Sequence, residues 1–241
     1  MKSPRIVLII SLVLGLSCAK GWSQLAVKGR LILEEPFTIP AAYTKEYQSA
    51  QPGWRAKAWQ QMWTHSGPGT ITSKWTSGHM PVFALEGTLK DFVVELEFRY
   101  HKVDGQKALC RISALNPQTD PRAYAVSVWA NADSSERPLG VVLERDVWKP
   151  GTITTVAREP STFVSDTWYA VRLEVVGEQA LFRCNGVTLF GQNEKFAMPK
   201  TVLAIGTGDC PHDVRGLRVY EATLDPTWKG SMPKKDLPTG K

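Results

Sequence analysis

Apolar and polar residues alternate with a period of two through most of the chain. In Asp91–Tyr100, Phe92, Val94, Leu96, Phe98 and Tyr100 fall on one side, and Val93, Glu95, Glu97 and Arg99 on the other. That is the pattern of a strand packed on one face. Ala108–Leu115 repeats it less regularly, through Leu109 and Ile112, and Ala123–Ala130 sets Tyr124, Val126 and Val128 against Ala125, Ser127 and Trp129. Leu139–Leu143, Val202–Gly206 and Leu217–Ala222 are further short runs. Trp168–Glu174 and Gln179–Cys184 read as hairpin arms across Gly177-Glu178, and Asn185-Gly186 is the strongest turn signal, since both residues tolerate positive φ. No long stretch carries a 3.6-residue apolar period. Tyr43–Met62 is the one span with room for a short helix, interrupted at Pro52-Gly53. The pattern predicts an all-β single domain, a sandwich of short antiparallel strands without internal repeats.

The ends read differently from the body. Met1–Ser23 has a basic start at Lys2 and Arg5, then an apolar run, Ile6–Leu16, then small residues. The run is shorter than the roughly 20 residues that a spanning helix needs, so residues 1–23 are expected to be an export signal, with cleavage after Gly21 or Ser23. The expected location is periplasmic or extracellular, with lipid anchoring at Cys18 as the minor alternative. Residues 24–228 form the predicted domain. Residues 229–241 are a Gly-, Pro- and Lys-containing tail without periodicity, expected to be flexible and solvated. No other stretch has the length and apolarity of a transmembrane segment.

Composition adds little until the charge is located. The 241 residues have 43% hydrophobic and 22% charged side chains, which excludes a disordered chain and leaves enough apolar material for a full core. The net charge of +6 sits in the two ends, leaving the body neutral. A neutral body has no footprint for phosphate backbones, so nucleic acid is not an expected partner. Removing Cys18 leaves Cys110, Cys184 and Cys210, enough for at most one disulfide. The four His residues have no metal-ligand spacing, so no resident metal or other cofactor is expected, although Asp209, His212 and Asp213 cluster and leave a divalent cation open.

Candidate chemistry lies on the strands. Glu95 and Glu97 share a strand face, with Cα atoms about 6.5–7 Å apart, compatible with a carboxylate pair or with a solvated face balanced by Arg99. Glu144 and Asp146 form another such acidic pair. Trp129, projecting away from the core side of its strand, is a candidate platform for a sugar ring beside Arg111, since sugar C–H faces stack on aromatic rings.

The hairpin segments Asp166-Thr167-Trp168, Val171-Arg172-Leu173, Gly177 and Asn185-Gly186 resemble the run found in concanavalin A-like sandwiches. Lys90–Arg99 and Val214–Val219 resemble the "DFel…eFr" and closing strands of the 3-keto-disaccharide hydrolase domain family, and the likeness spans residues 29–228. The resemblance implies a concanavalin A-like jelly roll from a divergent secreted bacterial subgroup, acting on or binding an oligosaccharide or polysaccharide. The chain departs from that family where Ala125 and Ser127 replace a Glu and a Gln, and where Leu203–Gly208 replaces an "LQxHG" segment. Two main readings follow. One is a hydrolase of 3-keto-sugar glycosides, with Glu97 as base, Glu95 as its partner, His79 as proton shuttle and Arg111 as hydroxyl anchor. The other is a lectin-like module binding glycan through Trp129 and Arg111, or an envelope scaffold on the same sandwich.

Overall fold

The computed structural model describes residues 24–37, 46–48, 55–58, 62–74, 80–118, 123–133, 139–147 and 154–231. Residues 1–23, expected to be an export signal, with Cys18, together with His79, Trp54, Trp59 and Trp75, lie outside these residues, as do residues 232–241 of the expected tail.

Sixteen strands are described: β1 (Ala26–Glu35), β2 (Glu46–Gln48), β3 (Arg55–Ala58), β4 (Trp63–Gly67), β5 (Thr70–Ser73), β6 (Val82–Leu89), β7 (Phe92–Tyr100), β8 (Leu109–Leu115), β9 (Ala123–Asn131), β10 (Gly140–Val147), β11 (Thr154–Glu159), β12 (Tyr169–Val176), β13 (Gln179–Cys184), β14 (Val187–Gln192), β15 (Lys200–Thr207) and β16 (His212–Leu224). They form two antiparallel eight-stranded sheets. The first has the order β14-β13-β12-β7-β16-β5-β4, with β1 also on β16; the second runs β11-β10-β9-β8-β15-β6-β3-β2. The short helix expected within Tyr43–Met62 is corrected here. Glu46–Gln48 and Arg55–Ala58 pair with each other, and β3 pairs with β6, so their backbone groups complete a sheet edge instead of a helical turn.

The core between the sheets follows the alternation. Phe92, Val94, Leu96, Phe98 and Tyr100 of β7 face Phe83, Leu85, Ile112, Val126, Val128, Leu203 and Ile205 of the second sheet within one buried cluster. Each such side chain contributes roughly 1.5–3 kcal/mol by leaving water, so the two apolar faces hold the layers together. Cys110, Cys184 and Cys210 are all free and buried within this core. Burial pushes the Cys184 and Cys210 thiols up to about 12. They are small apolar fillers, and no disulfide joins them.

Two departures from strict alternation position the polar side chains. Arg215 pairs with Glu97 and Arg218 with Glu95, so β16 carries an extra residue between them. Gly216, at φ +64°, supplies the backbone twist that a side-chain-bearing residue resists, and both arginines reach the outer face. On β9, Val126 lies opposite Ala114 but Tyr124 lies opposite Leu115, and the same extra residue appears against β10, where Ser127 meets Glu144 and Tyr124 meets Asp146. The bulge at Ala125 turns Tyr124 to the outer face, with Ser127 and Trp129. This corrects the expectation that Tyr124 shares the core side with Val126 and Val128.

Candidate functional site

The outer face of the second sheet collects a set of buried polar groups that a bare sheet face would leave to solvent. The ladders put Arg111 opposite Trp129, Ser113 opposite Ser127, and Glu144 opposite Ser127 on the other side. The Arg111 guanidinium lies 3.7 Å from the Tyr124 ring centroid and 4.5 Å from that of Trp129. Its Nε donates to Ser127 Oγ at 2.9 Å, and Ser127 Oγ lies 3.0 Å from Ser113 Oγ. The Trp129 indole N–H donates to Glu144 Oε1. Glu144 is 0% exposed, Trp129 3% and Arg111 8%. A buried charge is costly unless held by partners, so this arrangement fixes each group in one geometry. Trp129 also joins Leu109 and Val142 in an apolar cluster, with Met80 packed alongside. Across β15 the face continues in small residues: Gly206 lies opposite Arg111, and Ala204 opposite Ser113.

The structure brings Arg111 and Trp129 together, as the strand pattern suggests, but as a cation on a ring whose N–H is engaged by a carboxylate. Tyr124 and Glu144 join them, one through the bulge and the other through pairing between β9 and β10. The bulge leaves no Gly or Pro marker in the sequence. Glu144 was visible only as one half of an i, i+2 acidic pair.

Glu95 and Glu97 stand on the other side of the molecule, on the outer face of the first sheet. Glu95 is held by Lys28 at 3.1 Å and by Arg172 at 2.9 Å, and Glu97 by Arg215 at 2.6 Å. The two catalytic and two binding candidates of known placement are thus divided between opposite faces. Glu174 lies beside Glu95 and is fully buried. Its Oε2 accepts from the Leu25 and Ala26 amides at 2.9 and 2.8 Å, and its Oε1 accepts from Arg172 Nε at 2.8 Å and from Arg183.

The Asp209, His212 and Asp213 cluster does not gather around a common point. His212 is buried, with Nδ1 2.7 Å from the Cys210 carbonyl oxygen, and burial holds its imidazole down at about 4. Burial pushes the Asp213 carboxyl up, but hydrogen bonds from Thr72, Arg99 and His101 outweigh it and hold the group below the ordinary range. His101 lies between two acids, Nδ1 2.6 Å from Asp166 and Nε2 3.0 Å from Asp213. These donors are spent on one another, and among the described residues no group of three or more His, Cys, Asp or Glu side chains is arranged to hold a metal ion. Nor is any described helix long and apolar enough to cross a membrane.

No protein-family model and no curated protein sequence matches the chain. Solved structures do resemble it. The carbohydrate-binding module CBM66 from Bacillus subtilis superposes with a TM-score of 0.54 at 12% identity, over 70% of this chain and 96% of that one. A protein of unknown function with a galectin-like fold, also from Bacillus subtilis, gives 0.55 at 12% identity, over 83% of this chain and 100% of that one. The exoplasmic domain of VIP36, in a Ca2+- and Man2-bound form, gives 0.52 at 10% identity, over 78% of this chain and 90% of that one. At these identities the likeness establishes the galectin-like, concanavalin A-class jelly-roll sandwich.

Proposed function

We propose that this is a carbohydrate-binding protein that takes a saccharide on the outer face of its second sheet. The observation that carries this reading is the Arg111 guanidinium fixed between Tyr124 and Trp129 beside the buried Glu144. A sugar needs directional donors and acceptors for its hydroxyls and a flat apolar surface for its C–H face. Arg111, 8% exposed, supplies the donors and the half-buried Tyr124 ring the surface, while the fully buried Glu144 holds the Trp129 ring against which Arg111 rests. Because Arg111 is already immobilised, binding does not bear the cost of ordering a long side chain. Trp129 acts here as the brace of Arg111 and Glu144. Saccharide-binding sandwiches among the structural neighbours support the same reading, as does the export signal read at 1–23, which would carry a domain at 24–228 to glycans outside the cytoplasm.

A second reading, hydrolysis of 3-keto glycosides, is favoured by Glu144 being a carboxylate buried on the same face as Arg111. In that chemistry the base removes the proton next to the ketone, the electron pair forms a C=C bond, and the glycosidic oxygen leaves and is protonated. Water then adds across the C=C bond. One base suffices, and Glu144, fully buried and engaged by the Trp129 N–H, would serve as that base only in a conformation that opens this face to substrate.

Calorimetric titration with a panel of neutral oligosaccharides and 3-keto glycosides, with product analysis, tests both readings. Tyr124→Ala and Glu144→Gln are expected to weaken binding at least tenfold while the melting transition stays cooperative. Turnover by the parent that Glu144→Gln abolishes would establish the hydrolase. Saccharide binding indifferent to both substitutions would overturn the site.

A further inference from the structure

The outer face of the second sheet extends beyond the Arg111 cluster, and the strand registers order it into rows. Tyr124 on β9 lies opposite Leu115 on β8, Leu115 opposite Val202 on β15, and Val202 opposite Glu86 on β6. Alternation turns the last three outward, because their neighbours Ala114, Leu203 and Leu85 belong to the core between the sheets. Neighbouring strands lie about 4.8 Å apart, so the row runs roughly 14 Å from Tyr124 to Glu86. Its middle is low and apolar. Leu115 and Val202 are half-buried, and Ala204 and Ala84 stand opposite each other in the next row.

A bulge marks each end of this row. At one end, the bulge at Ala125 turns Tyr124 outward. At the other, Val202 pairs with Glu86 but Lys200 with Leu89, so β6 carries an extra residue at Gly87-Thr88. Bulges re-aim side chains beside a site, and here a cavity of about 360 Å³ opens, lined by Glu86, Thr88, Gln118 and Thr201 among others. That size lies within the range of small-ligand pockets, about 300–1,000 Å³. The loop after β8 is braced beside it: Asn116 Oδ1 accepts from the Gln118 amide at 3.1 Å and from Thr201 Oγ1 at 3.5 Å. Thr88 and Gln118 are both exposed, so their side chains are open to a ligand.

A ring at one end, a low apolar lane and a polar cavity at the other suit a chain of sugar rings lying across the strands. Sugars joined through equatorial oxygens form a flat ribbon, and its C–H faces match an aromatic ring and an apolar floor. Axial linkages coil the chain away from such a floor. We infer, building on the saccharide site at Arg111 and Tyr124, that this site is one end of an extended groove for a linear, equatorially linked neutral oligosaccharide. Tyr124 stacks on one ring, and Thr88 and Gln118 hold the hydroxyls of a ring farther along.

The full protein is titrated calorimetrically with cellobiose, cellohexaose, mannobiose and mannohexaose, and with maltohexaose as the coiled control. A double variant, Thr88→Ala with Gln118→Ala, and Tyr124→Ala are titrated alongside, with melting curves as the check on folding. The parent is expected to bind cellohexaose or mannohexaose at least tenfold more tightly than the matching disaccharide, and than maltohexaose. That length preference is expected to disappear in the double variant, and Tyr124→Ala to weaken both lengths at least tenfold. Equal binding of disaccharide and hexasaccharide, both weakened by Tyr124→Ala, would leave the site at Arg111 standing and overturn the groove. A length preference that survives in the double variant would also overturn it. Maltohexaose bound as tightly as the flat chains would overturn the linkage. Binding of no saccharide, or binding indifferent to Tyr124→Ala, would overturn the saccharide site and the groove together.

Discussion

The two outer faces of this sandwich are built from similar residue types to different ends. On the first sheet, Glu97 and Arg215 form a bridge with side chains 40% and 41% exposed, in water that screens it. On the second, Glu144 is fully buried and Arg111 nearly so, each against an aromatic ring. Exposed pairs contribute between nothing and about 1 kcal/mol, whereas removing one partner of a buried charged set costs about 3–5 kcal/mol. Charge on a strand face therefore says little until its burial is known. Glu174 sharpens the contrast, because it is a buried carboxylate on the face where Glu95 and Glu97 are solvated. There the start of β1 lies over it, and Asp225 donates its amide to the Leu25 carbonyl, tying the residue before β1 to the residue after β16.

The contrast can be broken in graded steps. Glu174→Ala removes a buried acceptor from Arg172 and Arg183 and releases two backbone amides. It is expected to cost about 3–5 kcal/mol in denaturant unfolding. A loss below about 1 kcal/mol would class Glu174 with the surface pairs.

Acid gives the next largest effect, through His212. Its folded-state value of about 4 lies below the ordinary 6.5, so the unfolded chain takes up the proton first as the pH falls. Its stabilisation is complete above about pH 6.5 and is lost progressively toward pH 4, on the order of 3 kcal/mol in all. Melting curves across that window, compared with His212→Gln, read this loss as the part of the slope absent from the variant.

Trp129→Phe keeps a ring under Arg111 but removes the N–H that reaches Glu144. A loss of about 1–3 kcal/mol is expected, with weaker saccharide binding. Glu97→Gln stands at the small end, with a change within about 1 kcal/mol and no effect on binding at the Arg111 face. A tenfold loss of neutral saccharide binding in Glu97→Gln would instead move the site to the first sheet.

Much of the fold was legible because one-sided burial leaves a period of two. Phe92 to Tyr100 announced β7, and Gly177-Glu178 and Asn185-Gly186 announced the turns that join β12, β13 and β14. The site was legible in part. Arg111 and Trp129 could be paired because both occupy outward positions on neighbouring strands. Tyr124 could not, since the Ala125 bulge that turns it outward depends on ladders to both β8 and β10 and leaves no local mark. Glu174 was hidden for a related reason: in Trp168–Glu174 it occupies an ordinary polar position, and the Ala26 amide that it accepts from lies 148 residues away along the sequence. The helix expected near Tyr43 failed because strand pairing with β6 is a non-local choice that outweighs local propensity.

The central claim is that a neutral saccharide binds on the second sheet's outer face. Its most direct test is a nitrogen–proton correlation spectrum of the labelled protein, titrated with the best-binding neutral oligosaccharide. The Trp129 indole resonance, fixed against Glu144, is predicted to shift in a saturable manner while that of Trp168 stays in place. A saturable shift at Trp168 with Trp129 unmoved would contradict the account.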